Sequence, residues 1–449
     1  MSGETEPGET EPGETGSGQS QPGAKVLVVG GGGREHAIVW SLAKSPSVVE
    51  VITAPGNPGT ATEPGCRNVA ITATDIAALV DFAVAESIDL VVVGPEDPLV
   101  MGLVDRLADE QIPAFGPSAA AAQLEGSKSH CKDFLLRNGI PTGRSQSFTD
   151  SAPALAYLAD LVVPPVVKAD GLAAGKGVIV AETHEEAAMA VREILDDGRF
   201  GAAGAELLLE ERLHGPEVSI LAFCDGDQFH IMPAAQDHKR LLVGDAGPNT
   251  GGMGAFYPSP VADAELLDEI GRTVLAPSLA ALAAEGRPYR GVLYAGMMLT
   301  AEGPKVIEYN CRFGDPETEV VLPLLESDLY EVFMACATGS LDDVDIEWSP
   351  DAAVTVVMAS AGYPVSSSEP TPISGLGDAM EADCIVFHAG TAVRDDEIVT
   401  AGGRVLTVTA RRETLTDAAD AAHHGVSLIS FDGVQHRADI ARATAEVRS

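Results

Sequence analysis

Hydrophobic and polar positions follow two periods along most of this chain. Short apolar runs at Lys25–Val29, Val48–Thr53, Asp89–Val93 and Pro113–Phe115 have the length and β-branched content of buried strands. Between them, Arg34–Lys44, Asp75–Glu86 and Pro98–Glu110 place apolar residues at helical spacing. Strand and helix in alternation predict an N-terminal α/β domain with a doubly wound parallel sheet. Residues 2–23 repeat Gly, Glu, Thr and Pro with no apolar side chain to bury, which predicts a disordered acidic tail.

Further along, Gly126-Ser127 and Asn138-Gly139-Ile140-Pro141 bound a helix that carries Lys128 and Lys132 one turn apart. The apolar runs Pro165–Lys168 and Gly177–Ala181 read as a hairpin closed by a glycine-rich turn. The strand Glu206–Glu210 breaks over Glu211–Pro216 and resumes at Val218–Phe223. That break is a hinge whose backbone could read a base and whose Glu217 could hold sugar hydroxyls, or else a plain loop. Gln236–Arg240 leads into Gly247–Gly254, a glycine-rich polar loop of the kind that carries function. Val292–Thr300 and Lys305–Asn310 form a strand pair turned at Ala301-Glu302-Gly303, and period two puts Val306, Glu308, Asn310 and Arg312 on one face. From Ser327 the pattern gives a helix, strands near Ala353–Ser360, Cys384–Phe387 and Arg404–Ala410, and an amphipathic helix Thr414–Ile429, with no catalytic cluster and a simple turn at His388–Thr391.

Composition narrows the classes. The 449 residues suffice for about three domains. A formal net charge of −39 argues against a polyanionic partner, since no basic stripe is available. It fits a chain kept dispersed by self-repulsion in a salt-rich cytoplasm, and predicts a salt requirement. Six scattered cysteines without a C-x-x-C pair read as core residues or free thiols in a reducing compartment. No apolar run approaches the ~20 residues of a membrane span, and no export signal is apparent, so a cytoplasmic protein is expected.

Candidate chemistry lies in the polar interruptions. A lysine at the end of an apolar strand needs an anion or an open mouth, so Lys168, with Lys176 on the turn, reads as a phosphate lid; two solvated lysines on a surface hairpin are the bland alternative. The spacing is not a Walker A loop, because Asp170 stands where its first glycine belongs. The turn Gly30–His36 could hold a monophosphate on its amides, with Arg34 or His36 nearby, or be glycine-rich for geometry alone. A dinucleotide fits poorly: Glu35 takes the last glycine's place, and Thr53-Ala54-Pro55 offers no ribose acid. Glu308 and Asn310, one carboxylate and one amide oxygen two residues apart, suit Mg²⁺, and Arg312 could clamp a phosphate; the same face could be merely polar.

The order Gly-Gly-Gly-Arg-Glu-His-Ala, Pro55-Gly56-Asn57, Val93-Gly94-Pro95-Glu96, Gln123–Lys128, Lys168–Val178, Gln236–Arg240, Gly247–Gly254 and Glu308–Glu317 resembles the phosphoribosylamine-glycine ligase family of the ATP-grasp superfamily over about residues 25–425. After the disordered acidic tail (1–24), which lies outside the family pattern, the resemblance implies a Rossmann-like domain (25–125), a central ATP-grasp domain (126–326, its lid about 140–205) and a small C-terminal α+β domain (327–449). It implies ATP-driven joining of glycine to 5-phosphoribosylamine through a glycyl phosphate, in de novo purine biosynthesis; a monomer or weak dimer is expected. Lys132, Lys168 and Lys176 would then meet ATP phosphates, Glu210, Glu211 and Leu213 the adenine, and Glu217 the ribose, while Glu308 and Asn310 would bind Mg²⁺ or Mn²⁺. Arg312 and Lys176 would be catalytic. Gly31, Gly32, Gly33, Pro55, Gly56, Asn57, Asp237, Lys239, Asn249, Thr250, Gly251, Gly252, Arg312 and Asp315 would bind the other substrates. The alternatives are an ATP-grasp ligase for another acid, a nicotinamide-dependent oxidoreductase and a non-catalytic nucleotide sensor.

Overall fold

The computed structural model describes residues 23–172 and 177–442. Five parallel strands build the first sheet in the spatial order Cys66–Asn68, Val48–Pro55, Ala24–Gly30, Leu90–Val93, Ala114–Phe115. The strand order reverses between Ala24–Gly30 and Leu90–Val93, and a crevice opens at their carboxyl ends. The helix expected over Pro98–Glu110 is two shorter ones, Glu96–Val100 and Leu103–Asp109, because Gly102 between them takes a left-handed φ of 86°.

Two antiparallel sheets follow. One has the order Ser145–Phe148, Leu207–Glu210, Val166–Ala169, Val178–Val180; the other Phe229–Ile231, Glu217–Gly226, Tyr289–Thr300, Gly303–Asn310. In the first, Leu207, Leu209 and Val167 point into a core shared with the helices Ser151–Asp160 and His184–Leu195. Strand alternation therefore turns Lys168 and Glu210 to the opposite face. The hairpin expected around the lysines is formed by Val166–Ala169 and Val178–Val180, in register Lys168 to Val178. Lys176 lies outside the described residues.

The last large sheet mixes distant parts of the chain, in the order Gln236–Asp237, Gly254–Tyr257, Ala352–Ala359, Arg404–Arg412, Ile385–His388. The stretch read as a loop over Gly247–Gly254 begins instead as a strand, Ala246–Asn249, paired with Arg240–Leu242. Helix Leu415–Leu428, capped by the Thr414 hydroxyl, covers the sheet. Among the described residues no helix is long and apolar enough to cross a membrane.

Candidate active site

The two central sheets face each other across a cleft joined by the break after Glu210. That break is fixed at both ends. The Glu211 amide donates to the Arg144 carbonyl at 2.7 Å, and the Leu299 amide donates to the Pro216 carbonyl at 2.9 Å. Leu213 is half-buried there, Glu217 is exposed at the mouth, and Gly215 lies so close to the Leu299 carbonyl that no side chain fits.

Inside the cleft, Lys132 and Lys168 converge on one carboxylate. Lys132 comes from helix Lys128–Arg137, whose N-cap is the Ser127 hydroxyl. Its Nζ donates to Glu210 Oε1 and, at 2.5 Å, to Thr142 Oγ1. Lys168 Nζ lies 2.6 Å from Glu210 Oε2 and donates to the Ile307 carbonyl at 3.3 Å. All three residues are at most 4% exposed. Two ammonium groups against one carboxylate leave a buried excess of positive charge. Burial pushes Lys132 below its ordinary value despite Glu210; it acts on Lys168 in the same direction, but Glu210 and Glu308 together outweigh it and hold that ammonium above. Glu210, expected with Glu211 and Leu213 in the hinge, sits instead between the two buried lysines.

A lysine pair one turn apart on a helix is usually solvated, but Lys128 is not. It reaches the turn instead, donating to the Gly171 carbonyl at 3.1 Å, while Asp170 Oδ1 accepts from the Ser129 amide at 2.6 Å and from the Ser127 hydroxyl at 3.1 Å. The lysine turn is pinned to the helix that carries Lys132.

On the opposite wall, Glu308 and Asn310 share a face, but Val306 does not. The ladder runs Asn310 to Tyr294, Tyr309 to Ala295 and Glu308 to Gly296, then jumps to Val306 opposite Met297, so Ile307 is an extra residue in a β-bulge. The bulge breaks the strict alternation and sends Val306 into the core with Tyr309, Ala295 and Met297. It also directs the Ile307 carbonyl at Lys168. Opposite Glu308, Gly296 leaves room: a Cβ there would come within 3.3 Å of Glu308 Cγ. A carboxylate and an amide oxygen on one open face form a hard-oxygen donor pair that suits a divalent cation with phosphate and water completing its shell.

Arg312 stands beside this pair but is not free. Its Nη2 donates to Asn310 Oδ1 at 3.2 Å and lies 2.9 Å from Glu125 Oε1, and its Nε donates to Glu96 Oε2 at 3.2 Å. Burial would lift Glu96, yet Arg312 and Arg34 outweigh it and hold that carboxyl below its ordinary value. Glu96 and Glu125 are positioning partners that sequence reasoning did not assign.

A second, part-buried polar cluster adjoins the face of Glu308 and Asn310. Lys239 Nζ pairs with Asp237 at 2.9 Å, and the Tyr294 hydroxyl donates to Glu317 Oε1 at 2.8 Å and lies 2.6 Å from the Ser219 hydroxyl. Burial alone would lower Lys239, but Asp237, with Tyr294 and Glu317, holds it well above its usual value. Burial and Asp237 raise Glu317. The Thr250 hydroxyl donates to the Lys239 carbonyl at 2.8 Å, so the strand-and-turn segment closes over this cluster, while Asn249 stays exposed. Arg404, from the C-terminal sheet, donates to the carbonyls of Gly251 at 2.7 Å and Asp315 at 2.8 Å and pairs with Asp315 Oδ1 at 3.0 Å. No local signal marked Arg404, because its partners lie far away in the chain.

At the crevice of the first sheet the expected phosphate turn is differently occupied. Glu35 fills the space between Gly30 and Gly94, and its Oε2 accepts from the Gly32 amide at 2.6 Å. Arg34 is turned inward, 2.6 Å from Glu35 Oε1 and donating to the Phe313 carbonyl at 3.1 Å. His36 Nδ1 accepts from the His388 amide at 2.7 Å, and its Nε2 lies 3.2 Å from Glu63. Neither side chain is available to a monophosphate, because both knit the domains together. Asn57 Nδ2 donates to the carbonyls of Gly31 at 3.0 Å and His388 at 2.8 Å. A Cβ on Gly31 would lie 2.6 Å from the Gly56 carbonyl oxygen, so the two glycine turns, with Pro55, pack face to face. Glu35 also removes the room a dinucleotide pyrophosphate would need.

Comparison with known proteins matches three successive stretches of the chain. Family models described as phosphoribosylglycinamide synthetase match residues 24–125 (N domain), 126–318 (ATP-grasp (A) domain) and 353–443 (C domain). The chain is 53% identical over 429 residues to phosphoribosylamine-glycine ligase of Allochromatium vinosum, covering 95% of this chain and 100% of that one. It is 54% identical over 418 residues to the trifunctional purine biosynthetic protein adenosine-3 of Gallus gallus, covering 93% of this chain but 42% of that longer protein. A crystal structure of phosphoribosylamine-glycine ligase from Thermotoga maritima matches with a TM-score of 0.79 at 33% identity, over 93% of this chain and 100% of that one.

Proposed function

This chain belongs to the phosphoribosylglycinamide synthetase family, and on that premise we propose that it joins glycine to 5-phosphoribosylamine at the expense of ATP. The products are glycinamide ribonucleotide, ADP and phosphate, in de novo purine biosynthesis. The observation that carries this reading is the buried Lys132–Glu210–Lys168 cluster facing Glu308 and Asn310 across one cleft. A surplus ammonium next to a hard-oxygen pair is what a nucleoside triphosphate and its divalent cation require.

The hinge at Glu211–Leu213 takes the adenine and Glu217 the ribose. Lys132 and Lys168 hold the phosphates, with Glu210 keeping both ammonium groups in place, and Lys176 is assigned as a further phosphate ligand. Glu308 and Asn310 would hold a magnesium or manganese ion, which when bound would neutralise phosphate charge. A glycine carboxylate oxygen attacks the γ-phosphorus and ADP leaves. The amine nitrogen of phosphoribosylamine then attacks the acyl carbon of glycyl phosphate, the C–O bond to phosphate breaks, and the amine gives up a proton. Arg312, fixed by Glu96 and Glu125, faces the charge that moves between these oxygens. Asp237, Lys239, Asp315 and the Asn249–Gly252 segment surround glycine and the transferred phosphate, and the turns Gly31–Gly33 and Pro55–Asn57 hold the phosphoribosyl part. No protein nucleophile is needed, since positioning and fixed charge carry the chemistry. The enzyme works in the cytoplasm as a monomer or weak dimer, with domains at 25–125, 126–326 and 327–449 after an acidic tail.

ADP release in molar KCl with freshly made phosphoribosylamine tests this assignment. ADP formation should depend on glycine. Turnover with bicarbonate in place of glycine, or ADP release indifferent to glycine, would overturn it.

A further inference from the structure

Glu319 is a fully buried carboxylate whose two oxygens have no hydrogen-bond partner among the described residues. It stands where three parts of the chain meet. Its Oε1 faces Gly33 so closely that a Cβ on Gly33 would lie 2.5 Å away, with the Ala389 side chain beside the same spot. Nearby Arg404 is engaged by Asp315 and by the Gly251 and Asp315 carbonyls, and makes no hydrogen bond to Glu319. Glu317, two residues earlier, is by contrast satisfied by the Tyr294 hydroxyl. A buried acceptor pair left unmade is costly, and the N-terminus of helix Gly33–Leu42 offsets only part of that cost. Burial and Asp315 push this carboxyl well above its ordinary value, and a ligand that donates hydrogen bonds to both oxygens would restore the charged form.

Resting on the ligase reading above, we propose that Glu319 binds the ribose of 5-phosphoribosylamine, each carboxylate oxygen accepting one O–H of the vicinal diol. Two adjacent acceptors without a neighbouring free donor match a ligand that presents two donors. A phosphate would be repelled here, and among the described residues no group of three or more His, Cys, Asp or Glu could hold a metal. ATP has a diol too, but its ribose belongs at the hinge by Glu217. Glycine's ammonium belongs beside the acyl-phosphate chemistry at Glu308, whereas the charges acting on Glu319 are those of Asp315, Arg404 and Glu317. The assignment also gives Gly33 a reason: any side chain there would displace the carboxylate.

The test titrates glycinamide ribonucleotide, the stable product, into the full chain and into Glu319→Leu and Glu319→Gln, with thermal melts recorded for each. Glu319→Leu should weaken the nucleotide at least about tenfold and raise KM for phosphoribosylamine by a similar factor, with KM for ATP and glycine within about twofold. Glu319→Gln keeps one acceptor and should weaken the nucleotide about threefold; it decides the matter if the leucine variant does not fold. Unchanged affinity in a folded variant, or a shift confined to the glycine KM, overturns the assignment. In parallel, hydroxylamine replaces phosphoribosylamine as acceptor of the activated glycine. Loss of glycine-dependent ADP release in that arm in the unaltered chain would count against the ligase reading, while the nucleotide titration still decides Glu319.

Discussion

Glu210 carries more of the cleft than its place in a Leu-Leu-Leu-Glu-Glu run implies. Its carboxylate holds Lys132 and Lys168 together in a space from which water is largely excluded. Removing that charge while keeping the shape leaves two buried ammonium groups facing each other. Glu210→Gln should therefore destabilise the protein by about 3–5 kcal/mol in urea unfolding, whereas Glu211→Gln, at the better solvated next position, should stay within about 1 kcal/mol. Equal effects would show that the buried lysine pair does not depend on the Glu210 charge. At this scale the sequence was partly legible. Lys168 stood out because a lysine in an apolar strand demands an anion. Which of two successive glutamates answers it depends on the face each presents, and only the pairing of Val166–Ala169 with Leu207–Glu210 decides that. Arg404 and Glu319 gave no signal, since their surroundings are assembled from three separate stretches.

Among the elements, the strand Gly303–Asn310 best shows where periodic reading holds and where it fails. Alternation correctly put Glu308 and Asn310 together, and failed at Val306 because a single extra residue, Ile307, resets the phase. A bulge has no reliable signature in hydrophobic pattern, and neither did Gly102, which splits a helix that looked continuous. The partner strand supplies a test. Gly296 sits opposite Glu308, and a β-branched side chain there must displace the carboxylate. Gly296→Val should raise the Mg²⁺ concentration for half-maximal activity by about tenfold or more, while the ATP-independent melting temperature falls only modestly. An unchanged metal requirement would place the ion elsewhere.

Across the whole molecule, alternating strands and helices were enough to read the parallel N-terminal sheet, and its topological switch point lies where the glycine turn was found. The last sheet was not legible as a unit, because Gln236–Asp237 and Gly254–Tyr257 join strands about a hundred or more residues later, and pattern carries no record of such pairings. The charge of −39 belongs to this scale too. With carboxylates in such excess, we propose that the fold requires salt: the melting temperature should climb steadily from low salt to molar KCl, and a flat profile would refute this. The central claim is that ATP activates the glycine carboxylate in the cleft between Lys168 and Glu308. Its most direct measurement starts from glycine labelled with ¹⁸O in the carboxylate and follows the label into inorganic phosphate after one turnover with phosphoribosylamine. The account predicts one labelled oxygen in each phosphate released; phosphate free of label would contradict it.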